Sequence, residues 1–363
     1  MTKNIILLPG DGIGPEVTAE AKKALISVAK KFGHDFKFKT LKIGGASIDE
    51  FNNPLTDETI KACKKADAVL LGAVGGPKWD NIEPHLRPEQ GLLKIRKDLG
   101  LFANIRPIRL FASLKDTCPL RAEFIKSGID FIVVRELTGG IYFGDKLTKR
   151  LDNDKMWAAD TLAYNEDEIA RIGKIAFSIA KNRNKTLCSI DKANVLDSSK
   201  LWRKIMDKLA NSKEFKDVKL THMYVDNAAM QLIKNPSQFD VIVTENMFGD
   251  ILSDEASALV GSLGLMPSSS VGTSHFGLYE PISGSAPDIA GKNIANPIGA
   301  ILSASMMLRH SFNLEQEAYA IEVAVENVLA SGIRTADIAS DSFVPVNTAQ
   351  MGSAVAEFIA AQL

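Results

Sequence analysis

Short apolar runs rich in β-branched residues alternate with segments patterned at helical period along most of this chain, and no other feature constrains the fold so tightly. Residues 4–8, 36–43, 68–71, 129–134, 186–190, 220–225 and 239–244 read as strands. Residues 15–31, 56–65, 166–181, 199–209, 297–309 and 314–329 read as helices, the first opened by Pro15, whose missing N–H costs nothing in a first turn. This alternation predicts an α/β protein built on a large mixed, substantially parallel twisted sheet flanked by helices. At 363 residues the chain has room for two domains, yet no linker separates consecutive ones, so the second is expected as an insertion in the first. The least regular stretch, residues 263–296, is rich in Gly, Ser and Pro, and loops of that length are usually functional.

Composition removes several classes. A formal net charge of −1 with 24% charged residues argues against a nucleic-acid surface spread over the molecule. The apolar run at residues 5–8 is broken by Pro9 and Gly10, too short for a signal peptide or membrane span, so a cytoplasmic protein is expected. Cys63, Cys118 and Cys188 are widely spaced, with no CxxC, which fits a reducing compartment and no structural zinc.

The first glycine-rich turn, Gly10-Asp11-Gly12-Ile13-Gly14, lies between strand and helix as a dinucleotide fingerprint would. Its spacing is G-x-G-x-G rather than G-x-G-x-x-G, and no acidic residue closes a second strand about 20 residues later. No Gly-Lys-Ser/Thr follows, so a Walker-type loop fails as well. A tight βα connection and a ligand-proximal loop both remain as readings.

Chemistry gathers elsewhere. Asn246-Met-Phe-Gly-Asp250-Ile-Leu-Ser-Asp254-Glu255 follows the strand at 239–244. At about 100° per residue, Leu252, Ala256, Leu259 and Leu263 fall on one side of a helix and Asp250 and Asp254 on the other. Two carboxylates one turn apart suit Mg²⁺ or Mn²⁺, which prefer oxygen ligands and complete their shell with water and substrate. A solvent-exposed Asp pair favoured by the helix dipole accounts for the same residues.

Glu89, Leu92, Leu93 and Arg96 share one helical face, which suits a pocket for a branched apolar group beside a carboxylate, or an amphipathic helix with a snorkelling Arg. Arg106 precedes Pro107, and Arg135 closes the run Phe131-Ile-Val-Val134, at the strand end where open α/β sheets bind ligands. Guanidinium groups hold carboxylates bidentately, so the three arginines together favour an anionic substrate over separate structural ion pairs. Tyr142 follows the flexible Thr138-Gly-Gly-Ile141, Lys192 follows the strand at 186–190, and Asp226 ends the strand that reaches Val225. Any one of these alone reads as a cap or surface residue. Their recurrence at the same end of successive strands points to one shared crevice.

Six stretches, in this order, resemble the 3-isopropylmalate dehydrogenases: Gly75-Gly-Pro-Lys-Trp79-Asp, residues 87–106, Arg135-Glu-Leu-Thr-Gly-Gly-Ile-Tyr142, Asp191-Lys-Ala-Asn194, residues 246–255, and Gly284-Ser-Ala-Pro-Asp288-Ile-Ala-Gly291. They cover essentially the whole chain, and the similarity extends to the β-decarboxylating dehydrogenases acting on isocitrate, homoisocitrate and tartrate or malate. The resemblance implies NAD-dependent oxidative decarboxylation of (2R,3S)-3-isopropylmalate to 4-methyl-2-oxopentanoate and CO₂, a step of leucine biosynthesis. It implies a first domain of residues 1–102 and 261–363 carrying a non-Rossmann nucleotide site, and an inserted second domain, residues 103–260, that pairs across a homodimer.

The residue roles follow from the same resemblance. Asp250 and Asp254 join the partner subunit's Asp226 around Mg²⁺ or Mn²⁺. Arg96, Arg106 and Arg135 hold the substrate carboxylates, while Glu89, Leu92 and Leu93 face the isopropyl group and the nicotinamide. The partner subunit's Lys192, neutral in its surroundings, takes the C2 hydroxyl proton through a water, and Tyr142 protonates the enolate carbon. Nucleotide contacts fall on Gly75, Gly76, Glu89, Glu280, Gly284, Ser285, Ala286, Asp288, Ile289 and Asn296. Asp288 accepts from the adenosine ribose and disfavours a 2′-phosphate, hence NAD over NADP. Ser283 stands where many relatives carry His, which puts in doubt any cofactor contact from that position. No nucleic-acid or membrane partner is expected.

The nearest alternative is a relative acting on isocitrate or on malate and tartrate; burying isocitrate's extra carboxylate against Leu92 and Leu93 would be costly. A metal-dependent phosphotransferase built on Asp250 and Asp254 lacks its Gly-Lys-Ser/Thr loop. A non-catalytic binding protein has no use for Tyr142 and Lys192 together.

Overall fold

The computed structural model describes residues 1–340 and 343–361. Its architecture is a large mixed, mostly parallel sheet flanked by helices. The chain divides into two compact units, one of Met1–Leu101, Arg109–Pro119 and Ser257–Leu363, the other of Phe102–Ile108 and Leu120–Ala256.

Along the chain, β1 (Thr2–Gly10), α1 (Gly14–Phe32), β2 (Asp35–Thr40), α2 (Gly45–Phe51), α3 (Asp57–Lys65), β3 (Ala68–Ala73) and α4 (Pro88–Asp98) come first. Then follow β4 (Ala103–Arg109), β5 (Asp130–Glu136), β6 (Lys146–Arg150), β7 (Met156–Asp160), α5 (Glu166–Lys181), β8 (Thr186–Asp191) and α6 (Asp197–Ala210). Next are β9 (Lys219–Tyr224), α7 (Val225–Lys234), β10 (Val241–Thr244) and α8 (Asn246–Leu259). The last are β11 (Pro267–Val271), β12 (Gly277–Pro281), α9 (Ile298–His310), α10 (Glu315–Ala330) and α11 (Thr348–Ala361).

In the first unit the strand order is β2-β1-β3-β12-β11, parallel except for the antiparallel β11–β12 pair. Ile5, Leu8, Val69 and Leu70 are fully buried, as strands covered on both faces require. Behind them α9 is buried at every position from Ile298 to Leu308. Such a helix tolerates its serines only when they are satisfied, and the Ser303 hydroxyl donates to Gly299 O and that of Ser305 to Ala318 O. Helix ends follow their sequence signals. Thr56 caps α3 by accepting from Thr59 N–H, and Asn165 with Glu168 forms a reciprocal capping box on α5.

In the second unit the order is β4-β5-β10-β8-β9, and β5, β10, β8 and β9 all run parallel. β6 and β7 form a separate, mostly exposed antiparallel hairpin.

Several elements differ from the sequence expectation. The strand expected at 36–43 stops at Thr40, and the one expected from 239 begins at Val241. The stretch read as irregular, 263–296, contains β11 and β12. β11 is Pro-Ser-Ser-Ser-Val, whose buried serines carry no β-branched apolar signature, and the Ser268 hydroxyl is satisfied by Glu280 O. Asp226 sits in the first turn of α7 rather than at a strand end.

Candidate active site

Parallel pairing brings the carboxyl ends of β5, β10, β8 and β9 to one edge of the second unit. Thr244 of β10 lies opposite both Arg135 and Ile190, and Asp191 lies opposite Tyr224. The chain emerges there with Arg135, with Asn246 at the head of α8, with Lys192, and with Asp226.

Arg106, Arg135 and α8 form one connected group. Arg106 is 6% exposed and Arg135 3% exposed, so both guanidinium charges need buried partners. Arg106 donates from Nε to Asn104 Oδ1 at 2.6 Å, and from Nη1 to Ser253 Oγ at 2.6 Å and Asp254 Oδ1 at 3.2 Å. Arg135 donates from Nε and Nη2 to Asn246 Oδ1, at 3.1 and 2.8 Å, and pairs with Asp250 through Nη1. The Tyr142 hydroxyl donates to the other oxygen of Asp250 at 2.9 Å, with its ring 5.8 Å from the Arg135 guanidinium. Gly249 permits this: a Cβ there would lie 2.6 Å from Arg135 Cγ.

Electrostatics sharpens the picture. Burial, followed by the charge of Asp250 and the hydrogen bond to it, pushes the Tyr142 phenol up to about 12. The Asp254 carboxyl is raised by desolvation, with Asp250's charge adding to the rise and Arg106 opposing it. Asp250 and Asp254 therefore repel each other despite two guanidinium neighbours. A hard divalent cation would relieve that repulsion, and carboxylate oxygens one turn apart are the donors it takes, so the residues present fit such an ion.

Lys192 and Asp226 stand together, Nζ to Oδ1 at 2.5 Å, and the lysine hydrogen bond holds the Asp226 carboxyl below its ordinary range. The backbone around Lys192 is held by α6. Asp191, 2% exposed, takes two hydrogen bonds from Arg203, and Lys192 N–H donates to Ser199 Oγ. Among the described residues no group of three or more Asp, Glu, His or Cys gathers closely enough to hold a metal. Asp226 is thus brought to Lys192 and not to Asp250 and Asp254.

The remaining expected residues lie in the first unit. On α4, Arg96 is buried and paired with Glu280 at 2.7 Å, with its Nε buried and unpartnered among the described residues. An orphaned guanidinium N–H is a natural seat for a ligand carboxylate. Leu92 and Leu93 are half-buried, Leu92 against the core cluster around Ile95 and Leu278. The exposed Glu89 carboxylate lies over Gly75, where a Cβ would meet its Oε1 at 2.8 Å.

The first glycine turn has a structural answer. Asp11 is 5% exposed and accepts from the N–H groups of Gly45, Ala46 and Gly75 at 2.8, 2.7 and 2.9 Å, knitting Gly75 and Gly76 to α2. The Ile13 N–H donates to Ser285 O, and the Glu16 carboxylate accepts from Gly291 N–H, so the same turn carries the loop at 284–296. Within that loop Gly284 and Asp288 are exposed, and Ser285, Ala286 and Ile289 are half-buried. Asn296 is engaged at both ends of its amide, donating to Asp337 and accepting from Ile298 N–H.

Sequence reasoning missed Asn104, Ser253 and Asn246, which hold the two buried arginines. Asn104 carried a usable signal, since two residues apart on a strand share a face with Arg106.

A family model described as isocitrate/isopropylmalate dehydrogenase matches residues 4–355. The 3-isopropylmalate dehydrogenase of Oleidesulfovibrio alaskensis is 56% identical over 359 residues, 99% of this chain and 100% of its own length. That of Bacillus licheniformis is 60% identical over 343 residues, 94% of this chain and 92% of its own. Among solved structures, an isocitrate dehydrogenase from Methylococcus capsulatus matches with a TM-score of 0.87 at 33% identity, covering 99% of each chain. A β-decarboxylating dehydrogenase from Thermococcus kodakarensis matches at 0.79, also 33% identical, over 98% of this chain and 96% of its own.

Proposed function

The chain belongs to the isocitrate/isopropylmalate dehydrogenase family, and from that membership we infer that it catalyses the oxidative decarboxylation of 3-isopropylmalate to 4-methyl-2-oxopentanoate and CO₂ in leucine biosynthesis. The observation that carries this reading is the convergence of Arg106, Arg135 and Tyr142 on Asp250, with Asp254 one turn away. Such a set binds a dicarboxylate, holds a cation and keeps a proton in reserve.

The family implies a pyridine nucleotide and a divalent metal ion, which we assign as NAD and Mg²⁺ or Mn²⁺. Together they supply a hydride acceptor and a Lewis acid that polarises the keto oxygen. Asp250 and Asp254 hold the ion. The loop at 284–296, with Gly75, Gly76, Glu89 and Glu280, holds the nucleotide, and exposed Asp288 faces the ribose.

The protein's own groups do the rest. Arg96, Arg106 and Arg135 fix the substrate carboxylates, which orients the C2 hydroxyl and the leaving carboxylate. Glu89, Leu92 and Leu93 take the isopropyl side. Lys192 receives the C2 hydroxyl proton through a water. Tyr142, whose raised phenol stays protonated at neutral pH, gives its proton to the enolate carbon once CO₂ has left.

We assign a homodimer with shared sites, in which Lys192 and Asp226 serve the partner's Asp250 and Asp254. Their pairing away from α8 supports this, as do the exposed apolar residues nearby in sequence, Val195, Met230, Ile233 and Ile251. The proposed reaction is tested by its products: purified enzyme with 3-isopropylmalate, NAD and Mg²⁺ should yield NADH, CO₂ and 4-methyl-2-oxopentanoate in equal amounts. NADH without CO₂ would sink the decarboxylation step.

A further inference from the structure

Asn246 is 1% exposed at the head of α8, and every polar atom of its side chain is used. Its Oδ1 accepts from Nε and Nη2 of Arg135, at 3.1 and 2.8 Å, and its Nδ2 donates to Gly139 O at 3.0 Å. The Gly139 N–H is held from the other side by Glu136 Oε2 at 2.8 Å, so the turn leading to Tyr142 is fixed through both backbone groups of one residue. Tyr164 closes the ring of contacts: its hydroxyl donates to Glu136 at 3.1 Å and accepts from Asn246 N–H at 3.0 Å. A guanidinium is planar, so anchoring Nε and Nη2 on one oxygen fixes its plane.

We infer that Asn246 is the positioning residue that sets the Arg135 guanidinium and the Tyr142 turn in one frame, coupling dicarboxylate binding to proton donation. It acts through Arg135 and Gly139 and touches no reacting atom. A neutral amide is needed at this place. Asparagine accepts from the arginine and donates to the carbonyl at the same time, whereas aspartate can only accept. Asn246→Asp sets a carboxylate oxygen against Gly139 O and adds negative charge where a substrate carboxylate must approach. Asn246→Ala removes the amide that Arg135 and the Gly139 carbonyl share, while Arg135 keeps its pairing with Asp250.

The inference rests on the functional reading above, and its test separates the two. Steady-state kinetics on Asn246→Asp and Asn246→Ala, each checked by circular dichroism, should show the KM for 3-isopropylmalate raised roughly ten- to a hundredfold with a fall in kcat. The KM for NAD should stay within about twofold. Calorimetric titration with malate should show a parallel loss of dicarboxylate affinity. If alanine fails to fold, the isosteric aspartate carries the test. A lower melting temperature and smaller active fraction, with dicarboxylate KM and affinity unchanged, would overturn the inference. Wild-type enzyme that ignores 3-isopropylmalate would sink the functional reading alone, and the malate titration would still judge Asn246.

Discussion

Lys192 Nζ lies 2.5 Å from Asp226 Oδ1 within one chain, while Asp250 and Asp254 are engaged with Arg135 and Arg106. Lys192 with Asp226, and the two α8 carboxylates with Arg106 and Arg135, are therefore two separate hydrogen-bonded groups within one chain. If a second copy joins them, Lys192→Ala and Asp254→Ala homodimers are each inactive, but mixing them creates dimers with one intact site. Random pairing of equal amounts should restore roughly a quarter of wild-type activity. No recovery after verified subunit exchange places both halves of a site in the same chain.

Tyr142 is raised to about 12 by burial and by Asp250, so its acidic form persists well above the ordinary tyrosine range. A group whose value is raised keeps its proton as pH climbs, so the alkaline loss of kcat due to Tyr142 should fall above roughly pH 10 rather than below it. Tyr142→Phe should lower kcat by about a hundredfold or more with little change in dicarboxylate KM. A large KM effect with kcat preserved would make it a binding residue instead.

Asp288→Lys combined with Ile289→Tyr should move the kcat/KM preference from NAD towards NADP, because it replaces a carboxylate with a cation and a phenol for the 2′-phosphate. The measurement is kcat/KM with each nucleotide; an unchanged ratio means the ribose contact lies elsewhere.

Asp11→Ala leaves the amides of Gly45, Ala46 and Gly75 without their acceptor. At about 1 kcal/mol or more for each stranded donor, thermal unfolding should shift down by several degrees. The KM for NAD should rise with it, since Gly75 loses its anchor. An unaltered melt would show that water replaces the carboxylate.

The strand–helix alternation made the parallel core legible because buried parallel strands advertise themselves as β-branched runs. β11 stayed hidden because its hydrogen bonds are made by a serine-rich segment, and β4 because Pro107 breaks the run around Arg106. At the site, Arg135 near the end of β5 and Lys192 just after β8 were readable from strand polarity, whereas Asp226 falls in the first turn of α7. The supports of the arginines were not readable. Asn104, Ser253 and Asn246 are ordinary polar residues until the folded chain brings an arginine against them. The glycine turn at residues 10–14 resembled a nucleotide loop for the same reason: Asp11 meets its three amide partners only after α2 and the Gly75 segment are in place.

The most direct test is the kcat/KM ranking of the purified enzyme, with NAD and Mg²⁺, on 3-isopropylmalate, isocitrate, malate and tartrate. Leu92 and Leu93 offer an apolar surface and no polar group for a third carboxylate. The enzyme should prefer 3-isopropylmalate over each of the others by at least about tenfold, the value of one or two buried methyl groups. Isocitrate, malate or tartrate ranking first would contradict the assignment.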